Sequence, residues 1–320
     1  MDAGVARLLR LAGRRGLEAV PLLLVVSGIA FGLLQLVPGG PLEVYLSNPG
    51  VRPEDLDRLR RALGLDRPVW VQYVSWLAAF ARGDWGYSFS DGRPVLDRVV
   101  ERLPASLELL AASLLLALAA ALPAGIVAAV RARTAVDRAI SATTSAAIAI
   151  PAFWLGLMLQ IVFAIGLGWL PSSGRGPDGD QLARLQHLMM PATVLAVVHG
   201  AAWSRYLRAS LVEVLGALFL TAARARGLSS RERLARHALP NALAPVATVI
   251  LLDAALLVPG AVVTESVFAW PGVGSLFTEA LGRRDYTVLM AMLMVSSLAV
   301  IVFNLLADVV HAWLDPRVAA

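Results

Sequence analysis

Six predominantly apolar runs dominate the chain: Ala19–Val37, Pro104–Val130, Ala139–Gly168, Leu188–Leu207, Leu243–Val263 and Val288–Trp313. The hydrocarbon layer of a bilayer is about 30 Å thick, and a helix crosses it with roughly 20 mostly apolar residues. Backbone polar groups in lipid must be satisfied within the segment, so runs rich in Leu, Ala and Val, without period-two alternation, select helices over barrel strands. The predicted fold class is all-α: a polytopic membrane protein with six transmembrane helices, an external amphipathic insertion and a cytoplasmic helical elbow. A composition that is 58% hydrophobic and 16% charged, with mean hydropathy +0.69, agrees with this.

The residue inventory removes several chemistries. All 28 basic residues are Arg, and Lys is absent. A P-loop needs Lys to reach the β- and γ-phosphates, a protein kinase needs a strand Lys on ATP, and pyridoxal phosphate needs a Schiff-base Lys. The absence of Cys excludes disulfides, thiol nucleophiles and thiolate zinc sites. His187, His199, His237 and His311 show no close metal-ligand spacing, and Ser172-Ser173-Gly174 lacks the Gly-x-Ser-x-Gly elbow of serine hydrolases. No cofactor, metal or nucleic acid is expected.

Arginine also sets the expected orientation. Arg131, Arg133 and Arg138 lie between the second and third runs. Arg205, Arg208, Arg224, Arg226, Arg231, Arg233 and Arg236 surround the link between the fourth and fifth. Of the opposite connections, the two short ones carry only Arg175 and Arg184, then Arg283 and Arg284, while the first, 38–103, is too extended to weigh and mixes its Arg with Asp and Glu. The positive-inside rule places both termini in the cytoplasm. The first run follows Arg7, Arg10, Arg14 and Arg15 but is too long for a signal peptide's apolar core, so it is expected to remain as a helix. The predicted layout is a cytoplasmic segment 1–18, a first transmembrane helix 19–37, an external amphipathic segment 38–103, a five-helix core 104–313 that includes a cytoplasmic loop 209–242, and a cytoplasmic tail 314–320. Pro123, Pro151 and Pro259-Gly260 mark bends within or near the runs, serving either as flexing points or as static kinks.

Two segments outside the runs are informative. In 38–103, Pro53-Glu54-Asp55 opens a predicted helix with Leu56, Leu59 and Leu63 on one face. A second amphipathic stretch sets Val69, Tyr73, Trp76, Leu77 and Phe80 together, and its aromatics suit the headgroup level of the outer surface. This segment either caps the bundle or meets an external partner. In the cytoplasmic loop, Ala222, Ala223 and Ala225 precede Gly227, a helix stop. Ser229 or Ser230 then caps a basic helix, and Pro240 precedes the next run.

At these residues the chain resembles the inner-membrane permeases of ATP-binding-cassette importers, in the branch that carries dipeptides, oligopeptides, nickel and glutathione. That family's cytoplasmic signature is Glu-Ala-Ala, three residues, Gly, nine residues, Ile, any residue, Leu-Pro. Here Thr221-Ala222-Ala223 stands ahead of Gly227, and Leu239-Pro240 closes the signature, with Thr221 and His237 departing from it. Arg224-Ala225-Arg226-Gly227-Leu228 and Arg236-His237-Ala238-Leu239 are similar to strings of the peptide branch. So are Pro38-Gly39-Gly40-Pro41, Leu63 to Pro68, Gly83 to Ser88, Arg102 to Glu108, Pro151 to Gly156, Gly168 to Pro171, Glu265 to Gly274, Arg284-Asp285-Tyr286 and Leu314 to Arg317.

The resemblance implies half of a translocation pathway, paired with a second homologous permease, driven by two cytoplasmic ATPase subunits and supplied with peptide, or a similar small solute, by an external binding protein. It implies that the chain is no enzyme, that ATP is bound by partner subunits, and that it resides in a bacterial-type inner membrane. It also implies that Ala222, Ala223, Arg224, Arg226, Gly227, Leu228, Arg236, His237, Leu239 and Pro240 form the ATPase-coupling element, with Ala222, Ala223 and Gly227 permitting close approach. An ion-gradient-driven secondary transporter is the alternative, although no repeat relates the two halves; an intramembrane enzyme would need converging catalytic groups. Ionisable residues within apolar runs are candidates for function. Asp253, placed toward the cytoplasmic third of the fifth run, is a possible pathway-lining residue, whereas Asp308, one turn from Asn304, is expected to form a structural pair with Arg131 or Arg205.

Overall fold

The computed structural model describes residues 3–37, 40, 58, 60–61 and 64–314, with the side chains of 3–12, 255–260 and 311–314 outside that description. The helix predicted over Pro53–Leu63 and the tail after Leu314 fall largely or wholly outside it. Among the described residues, five helices are long and apolar enough to cross a membrane, or six if one bent pair counts as a single span. The chain divides into two compact units, residues 1–105 with 272–299, and residues 106–271 with 300–320.

In the first unit lie α1 (Ala3–Gln35), α2 (Val69–Ala81), the start of α3 (Val95–Val130), α9 (Val273–Gly282) and the first part of α10 (Tyr286–Leu314). The helix of the second run begins at Val95, not Pro104, because Val95 and Val99 are buried in a core with Leu276, Ala280, Val288 and Met292. Helix formation therefore continues outward as long as there is an apolar surface to cover. The amphipathic helix predicted from Val69 is present as α2, but its aromatic face is turned inward. Tyr73 bonds Ser27 Oγ at 2.9 Å and donates to the Leu24 carbonyl at 3.1 Å, and Phe31, Tyr73, Trp76, Phe80 and Trp85 form a chain of ring contacts 4.7–6.2 Å apart. Trp70 and Val74 form the outward face instead.

In the second unit lie the rest of α3, α4 (Ala135–Ala149), α5 (Ala152–Leu159), α6 (Gln181–Leu215), α7 (Leu218–Ala225) and α8 (Leu239–Val267). The third run is not one rod. α4 and the α5 segment through Gly166 meet at 99°, because Ile150, preceding Pro151, takes an extended conformation at φ −82°, ψ 122°. Pro123 and Pro259-Gly260, in contrast, lie within the continuous helices α3 and α8. The contact of α3 with α6 is made by small residues at four-residue spacing, Ala117, Ala121 and Gly125 against Ala196, Gly200 and Ser204. A Cβ on Gly125 would stand 2.8 Å from the Ser204 carbonyl oxygen, so only Gly allows this approach. Lipid tails are as apolar as Leu, so helices in a membrane gain from such close packing more than from hydrophobic burial.

Candidate functional site: the helical elbow

The predicted loop 209–242 is mostly helix. α6 extends through Leu215, and Gly216 and Ala217 turn the chain into the eight-residue α7. Leu220 and Ala223 form the buried face of α7, and Leu220 packs in a core with Leu207 and Leu211 of α6, Ala238 and Ala242 around the start of α8, and Ala129 at the end of α3. α7 ends as the sequence predicts. Gly227 has φ +85°, its N–H donates to the Arg224 carbonyl at 3.0 Å, and the Leu228 N–H reaches back to Ala223 O at 3.3 Å. This is a Schellman closure, which needs a left-handed residue at that position.

Ser229, not Ser230, is the following cap. Its hydroxyl accepts from the Glu232 N–H, and the Glu232 carboxylate accepts from the Ser229 N–H at 3.1 Å, completing a capping box. From Ser230 the chain passes through a π-helical segment, Arg233–Ala238, directly into α8. The basic helix and the fifth span are thus one helical rod rather than two elements, with Pro240 directly after the π-helical segment. π-Helical turns inside helices are concentrated at functional sites.

These elements sort the predicted coupling residues into two groups. Ala222, Arg224, Arg226, Arg236 and Pro240 are exposed, and Leu228, His237 and Leu239 are half-buried. Ala223, at 1% exposure, faces its own chain, so its small size serves the packing of α7 on the unit. Gly227 is required by its backbone conformation, since a Cβ there would meet nothing within 4 Å. Ala223 thus serves an internal contact, whereas Ala222 and Gly227 are small residues exposed on the elbow.

Two residues that the sequence motifs do not single out share that face: Leu218, 87% exposed, and Phe219. The Leu218-Phe219-Leu220 triplet is the available signal, because on a short helix three adjacent large apolar residues cannot all turn inward. Arg224, Arg226 and Arg231 are exposed on the elbow and form no ion pair among the described residues. Several other charges of this unit have partners. Arg208 grips Asp137 through two bonds of 2.5 and 2.7 Å, and the Glu108 carboxylate accepts from both Arg175 and Arg184. Arg205 donates to Ser145 Oγ at 3.5 Å, and Asp308 is half-buried on α10. Asp253 lies at the midpoint of α8, not toward its cytoplasmic end, and accepts the Trp203 indole N–H at 2.9 Å.

The sequence strings that resemble the permease branch are brought together as buried contacts within each unit. Ser88 donates to Asp285 at 2.5 Å in the first, and Ser106 donates to Glu265 at 2.6 Å in the second. Residues 121–320 match the family described as "Binding-protein-dependent transport system inner membrane component", and residues 8–110 match its N-terminal counterpart. This chain belongs to that family. It is similar to the oligopeptide transport system permease protein AppB of Bacillus subtilis (strain 168), at 37% identity over 95% of this chain and 98% of the relative. The di/tripeptide permease DppB of Pseudomonas aeruginosa (strain UCBPP-PA14) is 34% identical over 96% of this chain and 98% of its own, and the dipeptide permease DppB of Escherichia coli (strain K12) is 32% identical over 93% and 95%. A chain of the MetNI methionine ABC transporter, solved in inward-facing conformations, shares the fold, with TM-score 0.58 and 17% identity over 70% of this chain and 99% of that one. The protein is a multi-pass inner-membrane permease subunit of an ATP-binding-cassette importer. The secondary-transporter alternative is set aside with that membership.

Proposed function

We propose that this permease imports peptides, forming half of a translocation pathway with a second homologous permease. Two cytoplasmic ATPase subunits bind and hydrolyse the ATP, and an external binding protein delivers the cargo. In this reading the chain itself binds no cofactor and catalyses no reaction, and both termini are cytoplasmic. The naming of the full-length relatives for oligopeptide, di/tripeptide and dipeptide transport supports the cargo class.

The observation that carries the mechanism is the two-faced elbow. Its inner face is held through Leu220 to three helices, while Leu218, Phe219 and Ala222 face outward beside Arg224 and Arg226, which form no ion pair among the described residues. An apolar patch rimmed by charge is the composition of a docking surface. The free face of α7 seats in a cleft of the ATPase. Closure of the ATPase pair on ATP then pushes α7, whose inner face transmits the displacement to the ends of α3, α6 and α8, a shift between two conformational populations driven by differential binding.

Reconstitution in proteoliposomes tests this. Peptide uptake is expected only with ATP, the ATPase subunits, the second permease and the binding protein all present. Uptake by this chain with an ion gradient alone would overturn the reading.

A further inference from the structure

Asp253 differs from two other helix carboxylates of its unit, Glu108 and Asp137. Glu108 is held by two arginines and Asp137 by one. Asp253, half-buried at the midpoint of α8, lies within 4.0 Å of no cationic group among the described residues. A carboxylate at this depth is costly against acyl chains, and such residues face water-filled cavities or a partner charge.

The group is nevertheless held in place. Its Oδ2 accepts the Trp203 indole N–H at 2.9 Å. Trp203 is only 1% exposed, packed against Ala117, Ala121 and Ala196 with Ile250 beside it, so the donor is fixed by the close contact of α3 with α6. His199, one turn earlier on α6, places its ring 6.1 Å from that of Trp203. Oδ1 has no hydrogen-bond partner among the described residues. One oxygen is therefore anchored, and the other is available to a donor from outside the chain.

We infer that Asp253 is a counter-ion for an ammonium group of the cargo during translocation, with Trp203 as the residue that positions it. The inference rests on the peptide-importer reading, since a peptide carries an α-ammonium group at its free end. Hydrogen bonds between ionised groups are stronger than neutral ones, and a pre-oriented acceptor loses less freedom on forming one. A single carboxylate holds a cation firmly enough to admit it and weakly enough to release it, as conduction requires.

The test uses the complete importer in proteoliposomes, comparing a dipeptide bearing a free α-amino group with its N-acetylated form. Each uptake rate is divided by the separately measured loading of the binding protein. Asp253→Asn is expected to lower normalised uptake of the free-amine peptide at least tenfold and to bring the preference between the two cargoes close to one. Asp253→Glu retains the preference, and Trp203→Phe weakens it several-fold. An unchanged preference in Asp253→Asn overturns the proposal. So does failure of that variant to assemble with the second permease, which would assign the cation to a neighbouring subunit. Absence of ATP-driven peptide uptake by the unmodified importer would overturn the peptide reading and this inference with it.

Discussion

The arginines of the first unit and those of the elbow have the same chemistry and opposite circumstances. Arg98, 7% exposed in its side chain, lies 3.6 Å from Asp91, 3.4 Å from Glu279 and 3.8 Å from Asp285, and it also donates to Ser88 Oγ at 3.0 Å. Asp285 is fully buried and in turn accepts the Ser90 N–H and the Val288 N–H at the start of α10. Each polar group in this node is answered within the chain. On the elbow, Arg224 and Arg226 are exposed and form no ion pair among the described residues, beside an outward Leu218 and Phe219. A satisfied buried network specifies one local arrangement, whereas an exposed apolar and basic face is completed by something outside the chain. Clustered arginine therefore does not by itself distinguish architecture from interface; what surrounds it does.

The largest expected effect comes from breaking the first of these. Asp285→Ala leaves Arg98 buried beside an unfilled site, and removing one partner of a buried charge network costs about 3–5 kcal/mol. The variant should lose most of its folded yield in detergent, measured by size-exclusion chromatography after mild heating. Leu218→Ser with Phe219→Ser acts on the second region and separates folding from coupling. Thermal stability should stay within about 0.5 kcal/mol of the parent, as for surface changes, while ATP-driven uptake and copurification of the ATPase fall at least tenfold. Equal loss of stability and uptake would instead make this patch part of the protein's own core.

A smaller effect is expected at the closure of α7. Gly227→Val forces a β-branched residue to φ +85°, at roughly 1–2 kcal/mol, and should lower coupled uptake severalfold with membrane insertion intact. Smaller still, Ser229→Ala removes the capping box at a cost of about 1 kcal/mol, seen as a modest fall in melting temperature. The node also has a pH signature at its exposed edge. Burial alone would raise the Asp91 pKa, but the Arg93 N–H, the Ser88 hydroxyl and the guanidiniums of Arg98 and Arg93 together hold it below its ordinary value. A depressed folded-state pKa gives stability that is present above the ordinary carboxylate pKa and lost as pH falls through the lowered value. Asp91→Asn should flatten that acid limb in a melting-temperature titration.

Much of this architecture is legible along the chain itself. The six apolar runs, the Gly227 stop and the serine cap are local facts: hydropathy over about 20 residues, one left-handed position and one side-chain oxygen decide them. Pro151 marks a break, yet not its 99° angle, because Pro123 carries the same local signal inside an unbroken helix. Which way an amphipathic face turns depends on what lies opposite. The aromatics of α2 suit a membrane surface equally well, and only Ser27, Leu24 and Phe31 on α1 show that they turn inward.

The same division runs through the functional site. Sequence determined that there is an elbow, which residues compose it and where it stops, since these follow from helix propensity and capping within a few residues. Tertiary structure decided which of its residues face out, assigning Ala223 and Leu220 to the interior and leaving Leu218, Phe219 and Ala222 outside. It also decided which carboxylates are answered by arginine, because Asp137 and Arg208, or Glu108 and Arg184, are separated by scores of residues and meet only when their helices pack. Side-chain partnership across helices depends on distance in space, and a linear chain records only distance along itself.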